Sequence, residues 1–345
     1  MECLIVNKKD AQKIKSYLME KGLYKVGAGV IKSGENIALP LVDMPGELAQ
    51  NILKKFCGVS FCDVVESKKK AHQSYQEYLK SELTEKEFEL LPSSFDVMGN
   101  LVIIELKEEL LRHEKKIADA ILKTHKNITT VLKKSGQHEG EFRTQKLSYI
   151  AGINTKETIY KENNVSIMLD VEKVYFSPRL STERKRIMLQ ITPGEIVLIM
   201  FSGCAPYPCV ISKNTSAKEI VGIEKNKIAH EYGLKNIELN KLNNITLING
   251  DVRDVLPALN RKFDRILMPL PKDADTFLDT ALLAAKKGTI IHLYDFEHEN
   301  EVFLGEEKVK KACGQLNKKF EILKTVKCGQ YSPGKFRICV DFRIN

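Results

Sequence analysis

The fold is decided by residues 195–224, which read EIVLIMFSGCAPYPCVISKNTSAKEIVGIE. Two short apolar runs, 195–201 and 219–224, flank a segment of helical length that opens with small residues and a proline. Two parallel strands joined by a crossover helix have this pattern. We therefore expect a parallel sheet that starts here.

Further apolar runs continue the alternation toward the end of the chain. They are ITLING at 245–250, FDRILM at 263–268, GTIIHLY at 288–294, FEILKTV at 320–326 and FRICVDF at 336–342. Helical segments separate the first six strands, whereas only CGQYSPGK separates the last two, which predicts an antiparallel hairpin. Seven strands that end in such a hairpin are typical of Rossmann-like methyltransferases that use S-adenosylmethionine (SAM). We expect an α/β domain of this class over residues 166–345.

The preceding half of the chain has the pattern of two smaller α+β domains. We predict a domain over 1–65, a charged, solvated helical linker over 66–91 and a middle domain over 92–165. Gly99-Asn100 and Asn163-Asn164 mark hairpin turns in the middle domain. The other predicted elements are strands at 3–6 and 37–41 and helices at 10–20, 46–55 and 108–123.

Composition restricts the class of protein. A chain of 345 residues with 43% hydrophobic and 29% charged residues excludes a disordered, collagenous or disulfide-dense protein. It has no long uncharged apolar run and no signal-like N-terminus, so we expect a cytoplasmic monomer with no membrane partner. Eight cysteines without a C-x-x-C pair predict free thiols and no metal site. The net charge of +9 favours a polyanionic partner.

Candidate ligand-binding residues follow the first three strands of the predicted sheet, where open α/β sheets bind their ligands. Phe201 and Gly203 lie in a loop of small residues that lets backbone approach a ligand, although a tight turn made for packing would look the same. Glu224 ends the second strand, where a carboxylate can accept hydrogen bonds from ribose hydroxyls. Asp251 and the Val252 amide suit an adenine ring, and Asp251 can also cap the next helix.

These residues belong to longer motifs spread over the chain. The motifs are KVYFSPRLSTERKRI at 173–187, EKN at 224–226, ELNKL at 238–242, GDVRD at 250–254, PLPKDADTFLD at 269–279 and YSPGKFRICVDF at 331–342. Together they resemble the archaeal and eukaryotic tRNA (guanine-37-N1)-methyltransferases over the whole chain. The resemblance implies a small N-terminal tRNA-recognition domain, a middle α+β domain, a Rossmann-like catalytic domain, SAM as methyl donor and tRNA as partner.

The resemblance also implies roles for individual residues. N1 of guanine carries a proton at neutral pH, so a base must remove it and a cation must stabilise the charge that spreads to O6. Glu183 matches the family's base, and Arg143 matches its O6-contacting arginine. Tyr175, Arg179 and Arg186 are expected to bind the substrate, although Glu183 and Arg186 could form only a surface i,i+3 pair.

Three positions depart from the family pattern. Ile199 stands where strand one usually ends in an acid, Ala205 replaces a glycine, and Pro269 replaces an asparagine. Proline offers a carbonyl and no N–H, so we expect backbone carbonyls of 268–270 to accept the N1 and N2 protons of guanine, with Pro269 and Pro271 holding the loop rigid.

Two other functions stay open. The aminocarboxypropyl transferases of wyosine biosynthesis share the scaffold and use SAM, although YFSPRLSTER and PLPK favour methyl transfer. The three departures could instead indicate a tRNA-binding protein with an eroded cofactor site. The retention of Glu183, Glu224 and Arg143 argues against that alternative.

Overall fold

The computed structural model describes residues 2–25, 31–33, 35–42, 46–56, 58–63, 74–136, 140–270 and 273–345. It contains two compact units, Met1–His72 and Gln73–Asn345. Among the described residues, no helix combines the length and the apolar character that spanning a bilayer requires. Seven described cysteines are free thiols, as expected, and Cys57 lies outside the described residues.

The first unit is an antiparallel sheet with two helices. The strands β1 (Glu2–Asn7), β2 (Ile31–Ser33), β3 (Asn36–Pro40) and β4 (Ser60–Asp63) are ordered β2-β3-β1-β4, and the helices are α1 (Ala11–Glu20) and α2 (Gly46–Lys55). The apolar face of α1, with Ile14 and Leu18, packs on Leu4 and Leu39 of the sheet. Both helices and the two strands predicted here are confirmed, whereas β2 and β4 were missed because such short edge strands carry almost no alternation.

The second unit begins with a four-stranded sheet covered by helices. Its strands β5 (Asp96–Met98), β6 (Leu101–Ile104), β7 (Thr130–Lys134) and β8 (Leu147–Gly152) lie in this order, and only β6 and β7 are parallel. Its helices are α3 (Tyr75–Leu79), α4 (Glu85–Glu89) and α5 (Glu114–Thr124), the last preceded by a 3₁₀ turn over Glu108–His113.

The prediction of a solvated linker over 66–91 is wrong for its second half. Tyr75 and Leu79 of α3 are buried in the same core as Val102 and Ile121. Two charged residues of this stretch stabilise the ends of its helices. Glu77 forms a capping box with Ser74 at the start of α3, and Glu87 forms one with Thr84 at the start of α4. Residues 66–73 lie outside the described residues.

A two-stranded hairpin connects the middle sheet to the large one. Its strands β9 (Glu157–Glu162) and β10 (Val165–Asp170) turn at Asn163 and Asn164, whose φ angles of 39° and 63° suit asparagine in a tight hairpin turn. The predicted domain boundary between 165 and 166 falls inside β10, so it divides a single hairpin.

The C-terminal part is the predicted seven-stranded sheet, and the fold class is confirmed. The strand order is β13-β12-β11-β14-β15-β17-β16, with β11 to β15 parallel and β17 antiparallel to both neighbours. The strands are β11 (Ile196–Ile199), β12 (Glu219–Glu224), β13 (Ile245–Asn249), β14 (Phe263–Met268), β15 (Ala285–His298), β16 (Phe320–Ser332) and β17 (Lys335–Ile344). The helices are α6 (Ser181–Met188), α7 (Pro206–Asn214), α8 (Lys227–Leu239), α9 (Val252–Leu259), α10 (Leu278–Ala284) and α11 (Phe303–Gln315).

Candidate active site

A cavity of about 570 Å³ opens at the carboxyl ends of β11, β12, β13 and β14. The order of these strands reverses between β11 and β14, and such a switch point is where open α/β sheets bind ligands. All five residues predicted to bind the cofactor line it: Phe201, Gly203, Glu224, Asp251 and Val252. The structure therefore gathers residues that lie up to about 50 positions apart in the sequence into one site.

The loop after β11 presents backbone and one hydroxyl to the cavity. Gly203 has a φ of 56°, and the nearest atom that a Cβ there would meet is the Tyr175 carbonyl oxygen at 3.9 Å. Ala205 adopts a φ of 63°, in the left-handed region that favours glycine, at a cost of about 1–2 kcal/mol. Ser202, which was not predicted as a site residue, lines the cavity, and its buried Oγ has no hydrogen-bond partner among the described residues. A ligand can supply that partner.

Glu224 is fixed at the end of β12 by the backbone. Its Oε2 accepts the Gly203 N–H at 2.6 Å, and its Oε1 accepts the Asn226 N–H at 2.7 Å. Burial raises the pKa of this carboxyl above its usual value, and the backbone hydrogen bonds only partly offset that effect. Each carboxylate oxygen retains a second lone pair, so the carboxylate can still accept ribose hydroxyls.

Asp251 caps a helix and also lies on the cavity wall. It caps α9 by accepting the Arg253 N–H at 2.9 Å, and it also lines the cavity beside Lys225, whose Nζ lies 3.1 Å from Oδ2. Val252 is the first residue of α9, and the N–H groups of the three residues after it already donate to Asp251. In this first turn, the Val252 N–H is therefore the group that suits the polar edge of a purine.

An aromatic pair forms the apolar wall of the cavity. Phe277 packs edge-to-face on Phe201 with ring centroids 5.0 Å apart. Phe277 belongs to the motif over 269–279, and no role was predicted for it. An adenine nucleoside can be bound by aromatic rings, a half-buried carboxylate and an unpaired hydroxyl. The cavity offers all three, so the residues present fit such a ligand.

Three of the residues predicted to act on the substrate line the same cavity. They are Arg143, Tyr175 and Pro269. The Arg143 guanidinium lies 5.9 Å from the centre of the Tyr175 ring, and Arg337 donates to the Tyr175 hydroxyl at 3.0 Å. In the loop with Pro269, the Leu270 N–H donates to the Met268 carbonyl at 2.8 Å, so one of the expected acceptors already has a donor. Pro271 lies outside the described residues.

The other predicted substrate residues lie elsewhere. Arg179 is exposed and donates to Asp96 at 2.7 Å; it borders a second, smaller cavity. Arg186 is partly buried between two carboxylates and lines neither cavity in the part of the chain that the structure describes.

Glu183 is buried behind the cavity wall. Only 4% of the residue is exposed, and its carboxylate accepts two hydrogen bonds from Arg186, at 2.7 and 2.8 Å. The pair considered in the sequence analysis therefore forms, but inside the protein. Glu183 is not one of the described residues that line the cavity.

Two tyrosines connect Glu183 to the cavity. Tyr207 lines the cavity, and its hydroxyl donates to the Tyr294 hydroxyl at 2.9 Å. The Tyr294 hydroxyl in turn donates to Glu183 Oε1 at 2.7 Å. Every donor in this chain faces the carboxylate, so the chain is oriented to pass a proton toward Glu183.

A buried ion network holds Glu183 and Arg186 in place. Asp341 accepts from Arg186 at 2.6 Å and from His292 at 2.6 Å, and His292 contacts Arg265 at 2.8 Å. Burial raises the pKa of Asp341, but the hydrogen bonds from His292 and Arg186 outweigh it and hold that pKa well below its usual range. His292, Asp341 and Cys339 are close enough to share a metal ion, yet burial raises the pKa of the Cys339 thiol well above its usual value, which disfavours the thiolate that a metal requires.

Comparison with known proteins identifies relatives over the whole chain. Residues 158–323 match the TRM5/TYW2 methyltransferase domain, and residues 75–155 match the TYW2 N-terminal domain. The tRNA (guanine(37)-N(1))-methyltransferase Trm5b of Pyrococcus abyssi is 40% identical over 256 residues, 74% of this chain and 76% of that protein. A tRNA(Phe) (4-demethylwyosine(37)-C(7)) aminocarboxypropyltransferase of Pyrococcus horikoshii is 32% identical over 274 residues, 78% of this chain and 95% of that protein. The solved complex of aTrm5 with tRNALeu superposes with a TM-score of 0.70 at 32% identity, covering 100% of both chains.

Proposed function

The chain belongs to the TRM5/TYW2 methyltransferase family, and from this premise we propose that it transfers a methyl group from SAM to N1 of guanine 37 in tRNA. The observation that carries the proposal is the cavity at the switch point. It joins five predicted cofactor residues to Arg143, Tyr175 and Pro269, which were predicted to act on the base. A donor site and a target-base site in one cavity are what direct group transfer needs.

The chain offers a complete set of contacts for SAM. Glu224 would accept the ribose hydroxyls, Asp251 and the Val252 amide would bind the adenine edge, and Phe201 would pack on the ring. The Ser202 hydroxyl would gain its missing partner. When bound, SAM supplies a methyl group on a sulfonium sulfur, which leaves as a neutral thioether.

Glu183 is proposed as the proton acceptor. The N1 proton of guanine would enter the hydroxyl chain at Tyr207, and each hydroxyl would pass its own proton on, so that the net result is a protonated Glu183. Arg186 and Tyr294 hold the carboxylate in one orientation for this transfer. Arg143 would stabilise the negative charge that develops on O6.

Backbone carbonyls near Pro269 are proposed to select guanine. The Met268 carbonyl already accepts the Leu270 N–H, so the Pro269 and Leu270 carbonyls carry this proposal. The N-terminal unit is proposed to recognise tRNA, and the enzyme to act as a cytoplasmic monomer. The net charge of +9 supports an RNA partner.

A transfer assay with altered tRNA tests this function. Tritium from the SAM methyl group is counted in tRNA transcripts that carry guanine, inosine or adenine at position 37. Label should enter the guanine transcript, enter the inosine transcript more slowly because inosine lacks the N2 amine, and not enter the adenine transcript. Equal labelling of all three would refute recognition of the guanine edge.

The aminocarboxypropyl transfer remains the second candidate. The match of residues 75–155 to the TYW2 N-terminal domain favours it. The motif over 173–187 and the identity of 40% to Trm5b favour methyl transfer. An eroded site is disfavoured because Ala205 retains the left-handed backbone and Glu224 retains both anchoring hydrogen bonds.

A further inference from the structure

A second cavity of about 240 Å³ adjoins the first. The two share five wall residues: Arg143, Tyr175, Phe176, Ser177 and Leu180. On one side the second cavity is bounded by Asp96 and Lys134 of the middle sheet, and on the other by the β16–β17 hairpin with Tyr331 and Arg337. Nothing in the proposed chemistry of the methyl group uses this space.

Its outer wall is an aromatic platform. Tyr331 is 56% exposed, and its ring lies 4.4 Å from the Phe296 ring. The pairing of β16 with β17 shifts between Gln330 and Ser332, so Tyr331 is a bulged residue without a cross-strand partner. Bulges redirect side chains, and this one holds an apolar ring in solvent beside a cavity. An exposed aromatic ring held in this way offers a face on which a base can stack.

Arg337 provides a hydrogen-bond donor without an acceptor. It lines the cavity, is 9% exposed and lies over the Phe296 ring at 4.9 Å. One of its nitrogens donates to the Tyr175 hydroxyl, but the buried Nε–H has no partner. Gly329 stands opposite Arg337 in β16, and the position of a Cβ there is open space. Burial of an unpaired donor destabilises the protein, and a bound acceptor can offset that loss.

The charge of the cavity suits an anion. Among the described residues that line it, the basic ones are Lys134, Arg143, Arg179 and Arg337, and the acidic one is Asp96. Aromatic rings combined with basic side chains are the pattern by which proteins bind unpaired nucleotides. Since the cavity shares a wall with the site for the target base, its natural occupant is a neighbour of that base in the same RNA chain.

We propose that this second cavity is a subsite for a nucleotide adjacent to the target in the tRNA anticodon loop. The base of that nucleotide stacks on Tyr331, supported by Phe296, and an acceptor atom of the nucleotide receives the Arg337 Nε–H. The inference rests on the proposed function, because it takes the first cavity as the site of the target base. It assigns Tyr331 and Arg337 to RNA binding and not to methyl transfer.

Binding of a fluorescent anticodon stem-loop RNA, measured by anisotropy, tests the stacking. Tyr331→Ala should weaken binding by about 5- to 100-fold, the range for one base stacked on an aromatic ring, and Tyr331→Phe should bind nearly as well as the wild type. Tyr78→Ala is the matched control, since Tyr78 is 41% exposed on α3 and outside both cavities. Equal affinity of Tyr331→Ala and the wild type would overturn the proposal.

Altered RNAs locate the contact. An abasic residue on one side of the target should weaken binding to the wild type and leave Tyr331→Ala unchanged. If instead the loss of affinity caused by Tyr331→Ala and the loss caused by the abasic residue add up at both flanking positions, Tyr331 does not stack on a neighbour and the proposal fails. An RNA with a neutral methylphosphonate linkage beside the target is compared with the unmodified RNA in the same way, with Arg337→Gln as the variant. If Arg337→Gln shows no coupling to the methylphosphonate linkage but does show coupling to the abasic residue, the acceptor of the Arg337 Nε–H is an atom of the base.

Calorimetry and the transfer assay separate this inference from the proposed function. SAM affinity of Tyr331→Ala should equal that of the wild type, because Tyr331 does not line the first cavity. Absence of methyl transfer by the wild type would refute the proposed function, whereas the loss of RNA affinity in Tyr331→Ala would still be measured.

Discussion

Glu224 is the residue proposed to bind the ribose of the cofactor. Its carboxylate is anchored by the N–H groups of Gly203 and Asn226, which orient its remaining lone pairs toward the cavity. Glu224→Ala should weaken SAM binding by about 1–3 kcal/mol, the loss expected for hydrogen bonds to a charged acceptor. Calorimetry measures this, with the exposed Glu238→Ala on α8 as control. An unchanged dissociation constant would exclude Glu224 from the ribose site.

The hydroxyl chain makes a kinetic prediction. Glu183→Gln should slow single-turnover methyl transfer roughly 100-fold, as for loss of a general base. Tyr294→Phe removes the donor to Glu183 and should slow it about 10-fold, with SAM and tRNA affinities unchanged. The double variant should be no slower than Glu183→Gln, because residues of one relay are not additive.

Tyr232→Phe, a buried tyrosine of α8 outside both cavities, is the control for that series. If Tyr294→Phe transferred methyl at the wild-type rate, Glu183 would have to meet the base directly after a rearrangement. If the two single effects multiplied in the double variant, the tyrosines would act apart from Glu183.

The gathering of the five proposed cofactor residues in one cavity could be predicted from the sequence because strand ends are visible in it. Glu224 and Asp251 each follow an apolar run, and parallel strands bring such positions to one edge. Ser202, Tyr207 and Tyr294 could not be predicted, since their roles depend on burial and on distances that only the packed chain sets.

Among the elements, α8 pairs a side chain with the backbone of the edge strand β10. Asn236 accepts the Met168 N–H at 2.7 Å and donates to the Met168 and Cys204 carbonyls. Asn236→Ala leaves these backbone groups buried and unpaired, so the free energy of unfolding should fall by about 3 kcal/mol. Urea unfolding measures it, with the exposed Asn345→Ala as control. A loss no larger than that of the control would show that this contact does not stabilise the fold.

The junction of β17 with α6 predicts a pH dependence. Asp341 has a pKa below its usual value, so it stabilises the folded state above about pH 4 and this contribution is lost as the pH falls through the lowered folded-state pKa. Asp341→Asn should therefore reduce the free energy of unfolding by about 3 kcal/mol at pH 7, as for a broken buried ion pair. The difference from the wild type should shrink below pH 4.

Denaturation curves between pH 3 and pH 7 measure that difference. Asp254→Asn, at an exposed position of α9, is the control and should track the wild type at every pH. If the loss in free energy of unfolding caused by Asp341→Asn stayed constant down to pH 3, the ion pair would not be its cause.

At the scale of elements, the alternating strands and helices of 195–342 were predictable because their periods are strong and regular. The helices α3 and α4 were mistaken for a solvated linker. The buried residues Tyr75 and Leu79 of α3, and Leu91 just after α4, are outnumbered by charges, and the capping boxes at Ser74 and Thr84 mark the two helices as ordered.

For the whole molecule, the second unit contains every described residue of both cavities. The proposed donor site, the proposed target-base site and the inferred RNA subsite therefore all lie in this unit. The central claim is that the group transferred from SAM is a methyl group and that its acceptor is N1 of guanine 37.

Nucleoside mass spectrometry tests that claim most directly. Unmodified tRNA transcript is incubated with the protein and SAM, digested to nucleosides and analysed against standards, with Glu224→Ala as the matched control. We predict 1-methylguanosine from position 37, and much less of it from the variant. An aminocarboxypropyl adduct, a methyl group on another atom, or no modified nucleoside would contradict the account.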